Sequence, residues 1–480
     1  MSEKAHRREL FQNQLWQGLN FAAKAGFLAV LTPWMLRVWG EEGFGMFALA
    51  SSLLVSMAVI DGGVRSLTRI KLAEALVSGV ERDFHRHLGR GIAAFGLVAG
   101  TVTAGAAALA AGGVWERFLH LPAGGNLLIA VTVVLVSLLM TSFLALEPLA
   151  ARGRLSLLKA ANTAGAVAAF PAVALCLWLR APVLAAVCVY LACLLTPNLW
   201  LIVRHRLLGP GVRREWRELS WKDVAETFRA GGWFYSTTVA WIVKSHALTF
   251  VVSAASGPAA AGAFYVLLRI TEIIGTFGST SSDTALASLS HARTKAERAE
   301  RFRSTYRYAA LFCLYGAAGV GFLGPLALRL WLPQQPFPPG IGWAMAAYGL
   351  ATALGRVAVN ACMGTGRIRA AGLGTIAEAL LVTAAGFAVV PRWGLEGLLW
   401  AAALAGGCLL PAARGLSRDL GQSFAAAWIA PLKRLLPLLA AGSAALALAA
   451  AQGGLLPAGA ACAAVGACAA VELRRLHRQA

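Results

Sequence analysis

Asn13-Gln14-Leu15-Trp16-Gln17-Gly18-Leu19-Asn20-Phe21-Ala22-Ala23-Lys24 begins the first long apolar run of the sequence, and its reading decides the rest. Asn13, Gln17, Asn20 and Lys24 step by 4, 3 and 4, which puts all four on one face of an α-helix. Leu15, Trp16, Leu19, Phe21, Ala22 and Ala23 cover the remainder. The run continues to Leu36, so Lys24 is expected near the middle of a membrane span. An ammonium at that depth costs a few kcal/mol unless it meets water or a partner. The stripe therefore predicts a helix that lines a cavity.

Composition agrees. Of 480 residues, 58% are hydrophobic and 14% charged, and the mean hydropathy is +0.66. That profile belongs to a polytopic membrane protein, and 51 glycines suit helices packed closely in lipid. The basic start, Met1 to Arg8, resembles a signal-peptide n-region. The run behind it is too long, carries Lys24 and has no small-residue cleavage site, so a retained span is expected. The 8 cysteines lie in or beside apolar segments without metal-like spacing, as small core residues do. No Walker loop, dinucleotide fingerprint or glycosylation sequon occurs, so no cofactor is expected and the chain is not read as an enzyme.

Dividing the chain at its apolar runs predicts about fourteen spans. They fall at 14–36, 44–64, 91–114, 126–150, 156–179, 183–203, 231–254, 260–285, 308–331, 341–361, 370–390, 395–413, 435–451 and 457–471. Of the 43 Lys and Arg, only Arg37, Arg117, Arg180, Arg329 and Arg392 fall at the external ends. Lys24, Lys244, Arg269 and Arg356 lie inside apolar runs, and all the others fall in segments that become cytosolic when both termini are inside. This is the positive-inside pattern of a cytoplasmic (inner) membrane protein. The net charge of +21 is thus topological: it suits anionic inner-leaflet lipid, and no nucleic-acid partner is expected.

Residues 64–90 read as an amphipathic surface helix with Ile70, Leu72, Ala73, Leu76 and Val77 on its apolar side. Residues 204–230, where Trp216, Leu219, Val224 and Phe228 interleave with Arg213, Arg214, Arg217 and Lys222, read as an interfacial linker. The linker separates a six-helix lobe at 1–203 from a second at 231–413, with two added helices and a basic tail at 414–480. The second lobe echoes the first. Ala261-Gly262-Ala263-Phe264-Tyr265 follows Phe44-Gly45-Met46-Phe47-Ala48 at an offset of 217. Gly366-Arg367 follows Gly153-Arg154 at 213, and Lys244 follows Lys24 at 220. A duplicated six-helix unit in one orientation is inferred.

The second lobe carries the longest intramembrane stripe: Tyr265, Arg269, Glu272, Thr276, Ser279 and Asp283, stepping 4, 3, 4, 3 and 4. Tyr348, Thr352, Arg356 and Asn360 follow at steps of four, and Lys244 lies in the preceding span. Plainer readings exist for some of these. Arg269 and Glu272 are spaced to neutralise each other, Arg356 is near enough to the cytosolic end to snorkel, and His246 reads as a packed histidine. Asp61, Glu147, Asp283 and Glu378 sit closer to helix ends. With Glu272 as the one deep carboxylate, the cavity is expected to be positive by about two to three charges, and its guest to be anionic. A diphosphate fits, held by the Arg fork and the Lys point charges.

At Gly40-Glu41-Glu42-Gly43-Phe44-Gly45-Met46-Phe47 and Ile60-Asp61-Gly62-Gly63 the sequence resembles the oligosaccharide (O-antigen type) flippases. These are polysaccharide-export members of the multidrug/oligosaccharidyl-lipid/polysaccharide (MOP) superfamily. The resemblance implies a V-shaped pair of six-helix lobes that moves a polyprenyl-diphosphate-linked glycan to the outer leaflet. Fourteen spans also resemble the lipid II flippase branch, where two extra helices form a tail groove and a cavity arginine lies on the eighth helix; Arg269 matches that placement.

The expected function is therefore a flippase for cell-surface polysaccharide (lipopolysaccharide O-antigen) synthesis, working by alternating access. Lys24, Lys244, Arg269 and Arg356 would bind the diphosphate, while Gln17, Asn20, Tyr265, Tyr348 and Asn360 would line the sugar site. Glu272 and Glu378 are the candidates for ion coupling. Polysaccharide polymerase or glycosyltransferases would be neighbouring partners. Two alternatives stand beside it, a lipid II flippase and a cation-coupled multidrug exporter, although the exporter needs acidic cavity residues and the first span offers only Lys24. A membrane glycosyltransferase, polymerase or scaffold fits less well, because the external loops are short and no Asp-x-Asp pair occurs.

Overall fold

The computed structural model describes residues 3–56, 64–152, 154–209, 211–212, 220, 222, 225, 237, 239–290, 294–333, 335 and 337–429. Asp61, most of the 204–230 linker and both spans expected beyond 434 lie outside the described residues. Among the described residues every regular element is helical. Seven of the helices are long and apolar enough to cross a membrane: Glu81–Ala111, Gly125–Ala151, Ser156–Trp178, Val183–Arg204, Leu248–Glu272, Lys295–Trp331 and Ile368–Asp419. Exposed Leu138, Val167, Trp200, Leu380 and Leu404 mark outward faces suited to lipid. The chain is a multi-pass α-helical membrane protein.

The chain splits into two compact units, Met1–Ile242 with Ser256–Gly262, and Val243–Ala255 with Ala263–Ala480. In the first, α1 (Glu3–Ser56) precedes α2 (Val64–Ser78), α3 (Glu81–Ala111), α4 (Val114–Leu119) and α5 (Gly125–Ala145). α6 (Glu147–Ala151), α7 (Leu155–Trp178) and α8 (Val183–Arg204) complete it. The second unit takes up a π-helical turn at Val243–Ala247 and α9 (Leu248–Ser290) apart from its Ser256–Gly262 segment, then α10 (Lys295–Trp331) and α11 (Ile341–Gly364). It continues through α12 (Ile368–Ala405), a 3₁₀ turn at Gly406–Leu409 and α13 (Leu410–Asp419). Helix α1 packs on α5, α7 and α8, and α11 lies between α10 and α12.

Three of the expected external turns are single glycine breaks within otherwise continuous helices. Gly40 in α1 has φ 71° and ψ −177°, Gly257 in α9 has φ 83° and ψ 173°, and Gly394 in α12 has φ 62° and ψ −160°. A side chain would be strained at that φ, so glycine alone makes the break cheaply. Two of the breaks share a pattern, Trp39-Gly40-Glu41-Glu42-Gly43 and Trp393-Gly394-Leu395-Glu396-Gly397. In both, a methyl on the second glycine would sit 2.6 Å from the Cβ of the tryptophan, so the small residue makes room for the indole. Gly257 follows Gly40 at the same offset of 217 that relates Gly262 to Gly45. Within the first unit the latter two glycines lie against one another: Gly262 faces the Gly45 backbone, and a methyl on Gly45 would overlap the Pro258 carbonyl.

Helix α2 differs from the surface helix expected at 64–90. Among its described side chains Val64, Thr68, Leu72 and Ala75 are buried and Leu76 is exposed, while those of Ile70, Ala73 and Val77 lie outside the described residues. The reason is electrostatic as well as steric. Arg65 and Arg69 both bind Glu147 on α6, whose side chain is fully buried, with Arg69 Nε 2.6 Å from Oε2. Glu147 is thus a doubly clamped carboxylate, and residues 81–90 extend α3 as its first turns. In the second unit Arg367, at the start of α12, binds Asp419 at the end of α13.

Candidate functional site

Polar residues on α9, α11, α12 and the π turn meet in two groups inside the second unit. The first centres on the π turn. Lys244, 4% exposed, donates from Nζ to Glu378 Oε1 at 2.6 Å, and Glu378 is 2% exposed. A π turn shifts the backbone register and leaves a carbonyl without its usual helical donor. Here the Lys244 carbonyl accepts from the Tyr348 hydroxyl on α11 at 3.0 Å. Glu378 Oε2 is buried and has no hydrogen-bond partner.

The second group draws on α9 and the same π turn. Arg269 Nη1 on α9 donates to Glu272 Oε2 at 2.6 Å, and the guanidinium carbon stands 4.6 Å from the centre of the Tyr265 ring. The stacking and the ion pair together hold the planar fork in one orientation. His246 Nε2, also on the π turn and almost fully buried, is 3.7 Å from Glu272 Oε1. The Glu272 side chain keeps 41% of its surface open, against 21% for Arg269 and 4% for His246. The acid is therefore the exposed member of this group and the two nitrogen groups lie deeper.

The charge balance expected from the sequence needs correction. Glu378 is not near a helix end. It is buried about ten residues into α12 and neutralises Lys244. Arg269 has its own carboxylate in Glu272. Two of the deep cations are thus matched one to one, and the positive excess of two to three charges does not arise from them. His246, expected as a packed histidine, is buried as such and also faces Glu272.

The other candidates divide as follows. Asn360 is buried and Arg356 half-buried on α11. Lys24 and Asn20 lie on α1 in the first unit, Lys24 exposed and Asn20 half-buried, and the side chain of Gln17 lies outside those described. The α1 face that carries Asn20 and Lys24 continues through Phe27, Leu31 and Met35, which are all buried. Along that face Lys24 is exposed, and the residues from Phe27 onward are packed. Among the described residues no group of three or more His, Cys, Asp or Glu could hold a metal ion.

No family model and no curated protein matches the sequence. Solved structures do match the fold. One is "Lipid II flippase MurJ, inward closed conformation", with TM-score 0.68 and 11% identity, covering 94% of this chain and 97% of that one. Another is an inward-facing multidrug resistance MATE family transporter of the MOP superfamily, with TM-score 0.65 and 14% identity, covering 84% and 95%. A third, the MATE multidrug transporter DinF-BH, has TM-score 0.60 and 14% identity, covering 87% and 96%. The all-α multi-pass fold is the one these transporters share.

Proposed function

We propose that this protein is a flippase that carries a polyprenyl-diphosphate-linked oligosaccharide from the cytosolic to the outer leaflet of a bacterial inner membrane, with both termini cytosolic. The fold is shared with a lipid II flippase over nearly the whole of both chains. The single observation that carries the reading is Arg269, a guanidinium on an apolar helix that stacks on Tyr265 and has a half-open acid as its neighbour. Such a fork suits phosphate oxygens, which it can hold in two parallel bonds. Lys24, exposed on α1, adds a second cation within an apolar run. Asn20, Gln17, Tyr348 and Asn360 are the polar groups assigned to the sugar head, and Arg356 to the entering phosphate. Lys244 is assigned to the site as well, although contact with substrate requires it to leave Glu378. Transfer would proceed by alternating access while the polyprenyl chain stays in lipid. An O-antigen type glycan is the substrate favoured by the 40–47 turn, and a peptidoglycan precursor such as lipid II is the alternative within the same class.

A second reading has its own support. Multidrug transporters share the fold, and Glu378 and Glu272 are membrane-depth carboxylates of the kind that bind cations or protons. Transfer of a fluorescent polyprenyl-diphosphate oligosaccharide in proteoliposomes separates the two. Wild type is expected to transfer it, with Arg269→Ala lowering the rate at least tenfold and Lys24→Ala by a smaller factor. Unchanged transfer by both variants would remove these residues from the site. No transfer by wild type, together with efflux of a cationic dye, would favour the exporter.

A further inference from the structure

The two buried-side ion pairs of the second unit look alike in length, at 2.6 Å each, but differ in which partner is reachable. In Lys244–Glu378 both side chains are at least 95% buried, so no ligand reaches either group while the pair stays intact. In Arg269–Glu272 the acid is the open member and the guanidinium lies beneath it. Moreover, one donor of Arg269 is left unmet. Glu272 Oε2 accepts from Nη1 and Oε1 stands 3.7 Å from His246 Nε2, while Arg269 Nε is buried without a hydrogen-bond partner.

We infer that the Glu272 carboxylate is a resident anion. It occupies, in the substrate-free protein, the seat that a phosphate group takes when substrate binds, and it must swing into water for that to happen. The inference rests on the assignment of Arg269 as the phosphate-binding cation and adds the group that regulates access to it. The chemistry favours the exchange. A carboxylate is planar and offers two oxygens a short distance apart, whereas a diphosphate offers oxygens arranged tetrahedrally about two phosphorus atoms and two negative charges. It can meet the unused Nε–H and the histidine together with the Nη donor. The i, i+3 relation to Arg269 lets Glu272 move by side-chain rotation alone, and 41% of its side-chain surface is already open. With no substrate present, the pair keeps Arg269 neutralised, so the empty site carries no bare guanidinium in low dielectric.

The sign of one substitution tests this. If Glu272 competes with phosphate, Glu272→Gln removes the competitor with little change of shape, and anion affinity rises. If Glu272 instead holds Arg269 in position for substrate, the same change lowers affinity. Binding of farnesyl diphosphate and of inorganic pyrophosphate to the purified full-length protein is the measurement. Glu272→Gln is expected to bind both about tenfold more tightly than wild type, and Arg269→Ala to bind neither. Glu272→Ala is the second variant, with the same direction expected. A rise confined to farnesyl diphosphate would place the gain in the lipid tail and overturn the inference. Equal or weaker binding by both Glu272 variants, with binding still lost in Arg269→Ala, would overturn it too while leaving the phosphate site in place. Absence of binding by every form would remove the site and the inference together.

Discussion

Replacing Glu378 with alanine is expected to destabilise the protein by about 3–5 kcal/mol, the cost of stranding one charge of a buried pair. Lys244 is 4% exposed and its Nζ has Glu378 Oε1 as its ion-pair partner, so without the acid an ammonium remains in low dielectric. Lys244→Met should cost a similar amount by stranding the carboxylate. The double variant Lys244→Met/Glu378→Ala should recover most of the loss, because no uncompensated charge is left. Thermal unfolding of the purified protein in detergent measures all three. Singles as stable as wild type would mean that the pair is not charged, or that water reaches it. The pairing also bears on ion coupling: a cation using Glu378 would first have to displace Lys244, which already lies at the oxygen.

Gly45→Val should be comparably damaging for a steric reason. A Cβ at position 45 would overlap the Pro258 carbonyl oxygen, and backbone cannot rotate away as a side chain can. Overpacking typically costs about 1–3 kcal/mol, and a clash with backbone belongs at or above the upper end of that range. Gly26→Ala in the same helix α1 is the contrasting case. A methyl there meets nothing within 4 Å, so the helix propensity of alanine should leave stability unchanged or raise it by about 0.5–1 kcal/mol. Comparable unfolding midpoints for the two variants would show that Gly45 and Pro258 do not approach as described.

These two sites also mark what the sequence can and cannot reveal. The 217-residue offset between Phe44-Gly45 and Ala261-Gly262 is legible because a close approach demands a small residue in the sequence itself. The same is true of the break at Gly40, expected as a short turn, although not of its form as a single left-handed glycine inside one helix. The Arg269–Glu272 pair follows from helical spacing alone. Lys244–Glu378 does not, since its members are 134 residues apart and come together only through the packing of α12 on the π turn. That turn also hides His246. An assumed 3.6-residue repeat puts it on another face from the polar groups, and nothing in Val243-Lys244-Ser245-His246-Ala247 announces the extra residue in the turn. The expected charge excess fails for a related reason, because the partner that neutralises Lys244 is Glu378, 134 residues away in the sequence and buried about ten residues into α12.

The central claim, that a doubly negative phosphate-bearing substrate crosses through this fold, is tested most directly by the voltage dependence of transfer. Moving two negative charges across ~100 mV changes the free energy by roughly 4–5 kcal/mol. In proteoliposomes containing the labelled polyprenyl-diphosphate oligosaccharide, a potential positive on the receiving side should accelerate initial transfer, and the reversed potential should slow it. Transfer that ignores the potential, or that runs faster when the receiving side is negative, would contradict an anionic cargo.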